Sequence, residues 1–303
     1  MGHNHNHSDH VTKNIKIAFL LNFGFAILEI CGGLWTNSLA IVSDAIHDLG
    51  DSLSLGLAWY LENKSNQHSN NLFTYGYRRL SLLAALINTL ILSIGSLYVI
   101  FAAIPRIINP EPTNAKGMIL LAILGVFVNG LAMLKLFRQS SLNASVVAWH
   151  LLEDALGWIA VLVVSITLLF TDLYILDPIL SIFIAAYILY NAIANLRKTL
   201  VLFLQAVPDN IDLKKLETSI LELDKVDSTH HTHVWSLDGE HHVFSTHVVV
   251  TNNTSREEIQ NIKGAIQHLG HSLNLKHITV EIEYLSEYCS MNHSTDNNPL
   301  MIL

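Results

Sequence analysis

Long apolar runs separated by short polar turns fill the first two thirds of the sequence. An α-helix needs about 20 mostly apolar residues to cross a bilayer, and six runs reach that length. They cover residues 15–35, 39–61, 80–103, 117–137, 142–170 and 176–203. Asn37 and Ser38 mark the first turn. Pro105, Pro110 and Pro112 are predicted to break the chain between the third and fourth runs. The pattern predicts an α-helical membrane protein with six transmembrane helices.

Beyond Pro208 the pattern changes to short helical and strand-like segments rich in charged residues. The helical segments cover 212–223 and 255–269, and the strand-like segments cover 226–237, 242–250 and 277–284. Asp238 and Gly239 form a turn between the first two strands, and Ser255 with Glu258 predicts a capping box at the second helix. The order αββαβ predicts a small α+β domain of the ferredoxin-like type.

The composition supports a membrane domain joined to a water-exposed one. Hydrophobic residues make up 51% of the chain and charged residues only 14%, with a mean hydropathy of +0.39, whereas soluble proteins carry about 25% charged residues. Ten of the 17 histidines follow Pro208 and four precede Val11. Cys31 and Cys289 are far apart and predict no disulfide framework. The formal net charge of −8 gives no reason to expect nucleic-acid binding.

The positions of lysine and arginine predict the orientation of the helices. With the N-terminus in the cytoplasm, nine of these residues lie in cytoplasmic segments and only Arg106 and Lys116 lie in outer loops. Both termini are then cytoplasmic. The predicted division is a His-rich N-terminal segment (1–14), a six-helix transmembrane domain (15–207), a cytoplasmic domain (208–286) and a C-terminal tail (287–303).

Ionisable residues inside the predicted membrane helices point to metal binding. A charged side chain at the bilayer centre costs roughly 2.5–3.5 kcal/mol, yet helix two contains His47-x-x-x-Asp51 and helix five contains His150-x-x-x-Asp154. Residues four apart share one face of a helix, so each helix offers one imidazole and one carboxylate to a common point. No lysine or arginine lies away from the helix ends to balance these carboxylates. Two histidine nitrogens and two carboxylate oxygens form a four-coordinate set that suits Zn²⁺.

Other acidic residues near these motifs are open to two interpretations. Asp44 lies one turn before His47 and is either an entry or proton-relay group or an ordinary helix-end residue. Asp48 and Glu153 are each adjacent to a proposed ligand, and either a functional or a structural role fits them. The His-x-x-x-Asp pairs also fit structural hydrogen bonds, but two copies in two membrane helices favour metal binding.

Several motifs together resemble those of the cation diffusion facilitator family of zinc transporters, and the resemblance spans nearly the whole chain. The motifs are Glu29-Ile30-Cys31-Gly32-Gly33, Ser38-Leu39-Ala40, Asp44-Ala45 with His47-x-x-x-Asp51, Tyr75-Gly76-Tyr77-Arg78-Arg79, Ser141-Leu142-Asn143, His150-x-x-x-Asp154-Ala155-Leu156-Gly157, Asp177-Pro178 and Val207-Pro208. The resemblance implies a homodimer that exports Zn²⁺ from the cytoplasm in exchange for protons. It also implies that His47, Asp51, His150 and Asp154 form the transport site.

Two departures from the family pattern narrow the interpretation. Tyr77 stands where some members have a metal-binding histidine in the loop between helices two and three, with only His68 nearby, so no loop site is predicted. The loop between helices four and five, residues 138–143, is short, whereas many animal relatives have a long His-rich loop there. The chain therefore resembles bacterial members, and the predicted location is a bacterial inner (plasma) membrane.

The resemblance further implies a metallochaperone-like cytoplasmic domain that pairs across the dimer and binds Zn²⁺. By family position, His233, His247 and Glu281 match a cytoplasmic zinc site, and Cys289 lies where some relatives place a metal-binding cysteine. Further candidates are His230, His231, Glu283 and His293. The N-terminal histidines are expected to bind zinc weakly; they include His3, His5 and His7.

The predicted function is divalent metal export rather than catalysis. No His-Glu-x-x-His motif supports an intramembrane zinc hydrolase. The alternatives are an exporter of Cd²⁺, Co²⁺ or Fe²⁺ that uses the same ligands and, as a different class, a membrane-anchored zinc sensor that binds without transporting. Zinc binding needs neutral histidine and ionised carboxylate and so displaces protons, which predicts Zn²⁺/H⁺ exchange.

Overall fold

The computed structural model describes residues 5–65, 70–137, 142–289 and 291, and within them eight helices and three strands form two compact units. The first unit extends to Lys198 and the second begins at Thr199. The long helices are α1 (His5–Thr36), α2 (Leu39–Ser65), α3 (Leu80–Ile108), α4 (Ala115–Phe137), α5 (Leu142–Phe170) and α6 (Leu176–Phe203). The candidates His3, His68 and His293 lie outside the described residues, and of His5 and His7 only the backbone is described. The predicted architecture of a helical membrane domain and a small α+β domain is confirmed.

Five of the six long helices are long and apolar enough to cross a bilayer by length and composition alone. Within the described part of the chain α2 is the exception, because it carries Asp44, His47, Asp48 and Asp51. Such groups are costly in lipid. α2 therefore depends on its neighbouring helices, rather than on its own apolar surface, for its place in the membrane.

Two helix boundaries differ from the predicted ones by five residues or more. α1 begins at His5 rather than at residue 15, since no proline or glycine follows Gly2 in the polar N-terminal segment to stop the helix. α3 continues through Pro105 to Ile108, so the prediction that Pro105 breaks the chain was wrong. The proline lies in the last turn, where its missing donor costs one hydrogen bond, and the Asn109 N–H closes the helix on the Pro105 carbonyl at 2.9 Å.

Close contacts hold the two helices that carry the predicted membrane ligands. α5 packs along α4, and α2 packs on α1 and α3. Gly125 of α4 lies against the indole of Trp158 on α5, and a Cβ atom at this glycine would overlap the ring. Gly50 of α2 faces Leu92 of α3 in the same way. Small residues let membrane helices approach closely, and here they fix the positions of α2 and α5.

The turn between α1 and α2 is held by side chains from two other helices. The buried carboxylate of Asp177, at the start of α6, accepts hydrogen bonds from the Ser38 hydroxyl and from the Leu39 N–H at 2.8 Å. Arg106, near the end of α3, donates to the Asn37 carbonyl at 2.9 Å and to the Asn37 Oδ1 atom at 2.8 Å. The first backbone N–H groups of a helix have no partner within the helix, and Asp177 thus supplies the cap for α2.

The second unit is a three-stranded sheet with two helices. Its elements are α7 (Leu213–Leu221), β1 (Val226–Ser236), β2 (His242–Val250), α8 (Arg256–Ser272) and β3 (Leu275–Tyr284). The strands lie in the order β1–β2–β3, with β1 antiparallel and β3 parallel to β2. Phe244 and Val248 of β2 pack into a core with Ile220 of α7 and Ile266 of α8. His247 alternates with these residues along the strand and therefore projects from the opposite face.

Candidate metal centres

The two His-x-x-x-Asp motifs meet between α2 and α5. The Nε2 atom of His150 lies 2.6 Å from the Oδ2 atom of Asp51 and 3.9 Å from the Oδ2 atom of Asp154. The Nε2 atom of His47 lies 3.9 Å from the same Asp51 oxygen and 3.8 Å from the Oδ1 atom of Asp154. The structure therefore brings together all four predicted membrane ligands, here called the membrane quartet (His47, Asp51, His150 and Asp154).

The donor atoms of the membrane quartet suit a single small cation. His47, Asp51 and His150 each place one donor atom within 4.8 Å of the other two, and Asp154 adds a fourth donor from α5. The imidazole rings of His47 and His150 meet edge to face, with their centroids 5.6 Å apart. Two nitrogens and two carboxylate oxygens around one point are a donor set that Zn²⁺ accepts in tetrahedral sites.

The membrane quartet is only partly buried. The side chains of His47 and Asp154 are 22% and 10% exposed, whereas that of His150 is 41% exposed. A cavity of about 250 Å³ borders the quartet. Its lining comes from α2, α5 and α6 and consists of Asp44, His47, Glu153, Asp154, Gly157, Phe183, Ile184, Tyr187 and Ile188. A partly exposed site beside a cavity suits a cation that enters and leaves, in contrast to a closed structural site.

The acidic residues around the membrane quartet have different surroundings. Asp44 is buried and lines the cavity, and Asp48 is buried as well. Glu153 is exposed and interacts with the Tyr187 hydroxyl. Glu29 of α1 is completely buried, and neither of its carboxylate oxygens has a hydrogen-bond partner among the described residues. In the sequence Glu29 stood out only as part of a family motif, because contacts between α1 and α2 decide its burial.

A second group of possible metal ligands lies in the sheet unit and is here called the cytoplasmic cluster (His230, His247, Glu283 and Cys289). Its four ligand atoms all lie within 4.8 Å of one another. The Nδ1 atom of His247 lies 2.6 Å from the Oε1 atom of Glu283 and 3.6 Å from the Sγ atom of Cys289. The Nε2 atom of His230 is 3.4 Å from the other oxygen of Glu283. Two nitrogens, one carboxylate and one thiolate also form a tetrahedral zinc set.

Strand register places three of these residues on one face of the sheet. His230 of β1 pairs with His247 of β2, and Glu283 of β3 lies two residues beyond Glu281, the parallel partner of His247. Alternate residues of a strand share a face, so the three side chains project together. A β-bulge follows His230, where His231 has a φ of 51°. This bulge brings the His231 ring to 5.2 Å from that of His247, measured between centroids.

The protonation states at the cytoplasmic cluster favour metal binding. Burial raises the pKa of Glu283, but hydrogen bonds with Cys289 and His247 and the charge of His230 outweigh it and hold that pKa below its usual range. Desolvation and the neighbouring histidines lower the pKa of His231. Metals bind ionised carboxylates and neutral imidazoles, and the lowered pKa values favour these forms at Glu283 and at His231 beside the cluster. The buried Nε2 atom of His230 lies 3.4 Å from Glu283 but makes no hydrogen bond to any described residue, so the residues present fit a zinc ion.

The predicted cytoplasmic ligands are only partly brought together. His247 and Cys289 belong to the cluster, whereas His233 pairs with Ser245 farther along β1 and lies outside it. Glu281 is 64% exposed, and its Oε2 atom lies 3.4 Å from Nε2 of His247, the ring nitrogen that faces away from Glu283. His230 and Glu283, which the sequence indicated only as further candidates, complete the cluster. The bulge after His230 changes the register by one residue, and no sequence spacing reveals it.

Long apolar helices around a histidine–carboxylate quartet, together with a second unit that carries a His/Glu/Cys cluster, define a multi-pass membrane protein that handles metal cations. Comparison with family models agrees. The Cation efflux transmembrane domain matches residues 15–204, and the Cation efflux protein, cytoplasmic domain, matches residues 208–285. The chain belongs to the cation efflux family, which confirms the resemblance to cation diffusion facilitators and supports divalent metal cation efflux as its activity.

Curated relatives match this chain over nearly its full length. The cadmium, cobalt and zinc/H(+)-K(+) antiporter of Bacillus subtilis is 32% identical over 93% of this chain and 92% of its own length. The zinc transporter ZitB of Pectobacterium atrosepticum is 30% identical over 100% of this chain and 95% of its own length. Among solved structures, the metal-bound C-terminal domain of the CzcD transporter from Cuprividus metallidurans matches 24% of this chain and 99% of its own, with 27% identity and a TM-score of 0.22.

Proposed function

We propose that this protein exports Zn²⁺ from the cytoplasm through the membrane quartet, in exchange for protons. The observation that carries the proposal is the meeting of two His-x-x-x-Asp motifs inside the membrane domain, with His47 Nε2 3.8 Å from Asp154 and His150 Nε2 2.6 Å from Asp51. A divalent cation neutralises the two carboxylates, which would otherwise repel each other in a poorly solvated site. The partly exposed quartet and its cavity support passage rather than permanent binding.

Proton exchange follows from the contacts inside the quartet. A 2.6 Å contact between His150 Nε2 and Asp51 Oδ2 is a hydrogen bond, so one proton lies between these atoms when no metal is bound. Zinc needs both lone pairs and therefore displaces that proton. The Bacillus subtilis relative is named an antiporter of divalent metals against protons and potassium, which supports exchange here. In this proposal an inward proton gradient drives the export of Zn²⁺ from the cytoplasm.

Orientation, location and assembly are part of the same proposal. In the segments that flank the membrane helices, nine lysine and arginine residues on one side against two on the other support cytoplasmic termini. The short name of the family that matches residues 208–285, ZT_dimer, contains the word dimer, which supports a homodimer. Bacterial relatives of nearly equal length support a bacterial inner membrane as the location. The N-terminal His-rich segment (1–14), membrane domain (15–207), cytoplasmic domain (208–286) and tail (287–303) are proposed as its functional divisions.

The cytoplasmic cluster is proposed as a resident zinc site rather than a step on the transport path. Its thiolate ligand and its contacts between three strands and the C-terminal tail suit a site that keeps its metal. Zinc bound there would join β1, β2 and β3 to Cys289 and favour one arrangement of the dimerisation domain. Dimer affinity that is the same with and without zinc contradicts this regulatory role.

The decisive experiment measures zinc flux into vesicles that contain the wild type, Asp154→Ala or the control Asp172→Asn. Asp172 is an exposed carboxylate between α5 and α6, so its removal changes charge without touching the quartet. We expect flux in the wild type and in Asp172→Asn to rise with an imposed proton gradient, and flux in folded Asp154→Ala to vanish. Equal flux in all three would place the metal path elsewhere. Wild-type protein that binds zinc but carries none supports the sensor alternative.

A wider metal range is the second candidate. The Bacillus subtilis relative is named for cadmium and cobalt as well as zinc, and a quartet of two nitrogens and two oxygens also binds these ions. Competition of Cd²⁺, Co²⁺ and Fe²⁺ against zinc flux in the same vesicles separates a zinc-selective exporter from a broad one. Inhibition by Cd²⁺ or Co²⁺ at concentrations equal to zinc establishes the broad range.

A further inference from the structure

The contacts between α2 and α5 occur in successive pairs, and one pair has a side chain on one helix only. Two pairs belong to the membrane quartet, Asp51 with His150 and His47 with Asp154. One turn closer to the start of α2, the carboxylate of Asp44 faces Gly157 of α5, where a Cβ atom would lie 3.7 Å from Asp44 Oδ1. This third pair therefore offers a carboxylate on α2 and open space on α5.

The third pair lies in the cavity beside the membrane quartet. Asp44 and Gly157 line this cavity, as do His47 and Asp154 of the quartet. The cavity holds about 250 Å³. Since a water molecule takes up about 30 Å³ in the liquid, there is room for a metal ion that keeps several water ligands. A cation can thus move from the quartet to Asp44 without leaving the cavity.

Beyond Asp44 the contacts between α2 and α5 become apolar. Nearer the start of α2, Ala40 and Ile41 are completely buried in one core with Trp158 and Val161 of α5. Metal ions bind carboxylate, imidazole, carbonyl or sulfur ligands, and none of these four side chains offers such an atom. The row of metal-binding side chains between the two helices therefore ends at Asp44.

Asp44 lacks the partners that a structural carboxylate has. It is 6% exposed, and within the described part of the chain it has neither a hydrogen bond nor an ion pair, only electrostatic interactions with other acidic residues. Asp177, by contrast, is buried and accepts hydrogen bonds from Ser38 and Leu39. Carboxylates are costly to bury without donors, and in membrane proteins such residues mark ion pathways. The burial of Asp44 without partners therefore indicates a cation rather than a role in holding helices together.

We propose that Asp44 is a further metal-binding residue of the transport path, which holds Zn²⁺ in the cavity after it leaves the membrane quartet. The proposal rests on the exporter function and the orientation proposed above, in which α2 begins at the outer side of the membrane. A cation that moves outward from His47 meets Asp44 three residues, or about 4.5 Å, along the helix axis. Gly157 leaves the space that the ion and its water ligands need opposite the carboxylate.

Two substitutions at Asp44 separate metal binding from the other roles of a carboxylate. Asparagine has nearly the shape of aspartate but no charge, whereas cysteine differs in shape but supplies a thiolate that binds Zn²⁺. A thiol without metal is neutral at its ordinary pKa, so cysteine replaces neither the shape nor the permanent charge of Asp44. Only a metal-binding role therefore predicts that Asp44→Cys transports zinc better than Asp44→Asn.

The test measures zinc flux into vesicles for the wild type, Asp44→Asn and Asp44→Cys, with Asp172→Asn and Asp172→Cys as matched controls at an exposed carboxylate. We expect Asp44→Asn to lower flux by at least about 10-fold, Asp44→Cys to retain clearly more flux than Asp44→Asn, and both controls to match the wild type. Cd²⁺ added to purified full-length Asp44→Cys should also give a stronger thiolate-to-cadmium absorption band than the wild type or Asp172→Cys gives, because thiolates prefer soft metals.

Three results overturn the proposal. The first is flux in Asp44→Asn equal to that of the wild type. The second is flux in Asp44→Cys no higher than in Asp44→Asn, which assigns Asp44 a role through its shape or charge. The third is zinc flux in Asp44→Asn that persists but no longer responds to an imposed proton gradient, which makes Asp44 a proton carrier instead.

A substitution on the other helix keeps the test decisive if the Asp44 variants do not fold. A methyl group at Gly157 meets only Asp44 Oδ1 within 4 Å, at an ordinary contact distance of 3.7 Å, so Gly157→Ala is compatible with the fold. It takes up the space opposite the carboxylate, and we expect a loss of zinc flux. Unchanged flux in Gly157→Ala, with the Asp44 variants unfolded, overturns the proposal.

The outcomes remain distinct from those of the exporter proposal. Wild-type protein that carries no zinc, or an Asp154→Ala variant that still carries it, overturns the exporter proposal. Flux that vanishes in Asp154→Ala but is unchanged in Asp44→Asn overturns only the role of Asp44.

Discussion

The membrane quartet and the cytoplasmic cluster use similar donors but assemble them differently. The quartet takes two residues from α2 and two from α5, with the same four-residue spacing in each helix. The cytoplasmic cluster takes one residue from each of three strands and one from the C-terminal tail. A helix fixes the relative position of residues four apart by itself, whereas a site across a sheet depends on register and bulges. The first kind of site is therefore readable from local spacing and the second is not.

Sulfur is the chemical difference between the two sites. Cys289 places its Sγ atom 3.6 Å from His247 Nδ1 in the cytoplasmic cluster, while the membrane quartet contains only imidazole and carboxylate. Structural zinc sites commonly use thiolates, and sites that exchange ligands remain open. We expect the cytoplasmic cluster to retain zinc and the membrane quartet to pass it on. The following predictions test that contrast, from the largest expected effect to the smallest.

Loss of both histidines at one site or the other should separate transport from retention. We expect His47→Ala with His150→Ala to lower zinc flux by at least about 100-fold, since half of the quartet donors are removed. The matched pair His230→Ala with His247→Ala should remove one retained zinc per chain and leave measurable flux. Flux in vesicles and zinc content after gel filtration are the measurements. Equal loss of flux in both double variants would contradict the division of roles.

Two glutamates of β3 differ in their relation to the cytoplasmic cluster, because Glu283 belongs to it and Glu281 does not. Glu283 contacts both histidines of the cluster, so Glu283→Gln should weaken retained zinc by at least about 10-fold. Glu281 is 64% exposed and outside the cluster, so Glu281→Gln should change the affinity by no more than about 2-fold. Competition with a chelator measures the zinc affinity of both variants in the full-length protein. A larger effect from Glu281→Gln than from Glu283→Gln would instead favour the ligand set that the family resemblance implies, which is His233, His247 and Glu281.

The quartet depends on rigid helix contacts, and Gly125 tests that dependence. Gly125→Ala forces a methyl group into the Trp158 indole and should destabilise the α4–α5 pair by about 1–3 kcal/mol. Gly130→Ala, also on α4, has open space around the new methyl group and is the matched control. Thermal unfolding in detergent compares the two variants. Similar melting temperatures for both would show that α4 yields at this contact.

Acid should destabilise the metal-free sheet unit by a small amount. Hydrogen bonds, despite burial, lower the pKa of Glu283, and desolvation lowers the pKa of His231 and of His242. The ordinary pKa values are about 4.3 for Glu and 6.5 for His. As the pH falls below these values, the unfolded chain binds more protons than the folded one, so the stability of the fold decreases as the pH falls. We expect amides of β1 and β2 to exchange faster at about pH 5.5 than at about pH 7.5, after correction for intrinsic rates. Slower amide exchange at the lower pH would contradict the prediction that acid destabilises this unit.

Some features followed from local patterns and some did not. The spacing of His47 and Asp51 and of His150 and Asp154 predicted a common metal site, and the structure brings these four residues together. The capping box at Ser255 is present as predicted because it involves only four consecutive residues. The prediction that Pro105 breaks the helix was wrong, because a proline in the last turn of a helix costs only one hydrogen bond.

The amino-acid sequence by itself determined the helices, the αββαβ order and the pairing of ligands within α2 and within α5, because each depends on periodicity along one segment. Only the tertiary structure decided that Glu29 is buried, that Asp177 caps α2 and that Glu283 rather than Glu281 joins His230. Those relations connect residues far apart in the chain. They arise from helix packing, strand register and a single bulge, and no local pattern records them.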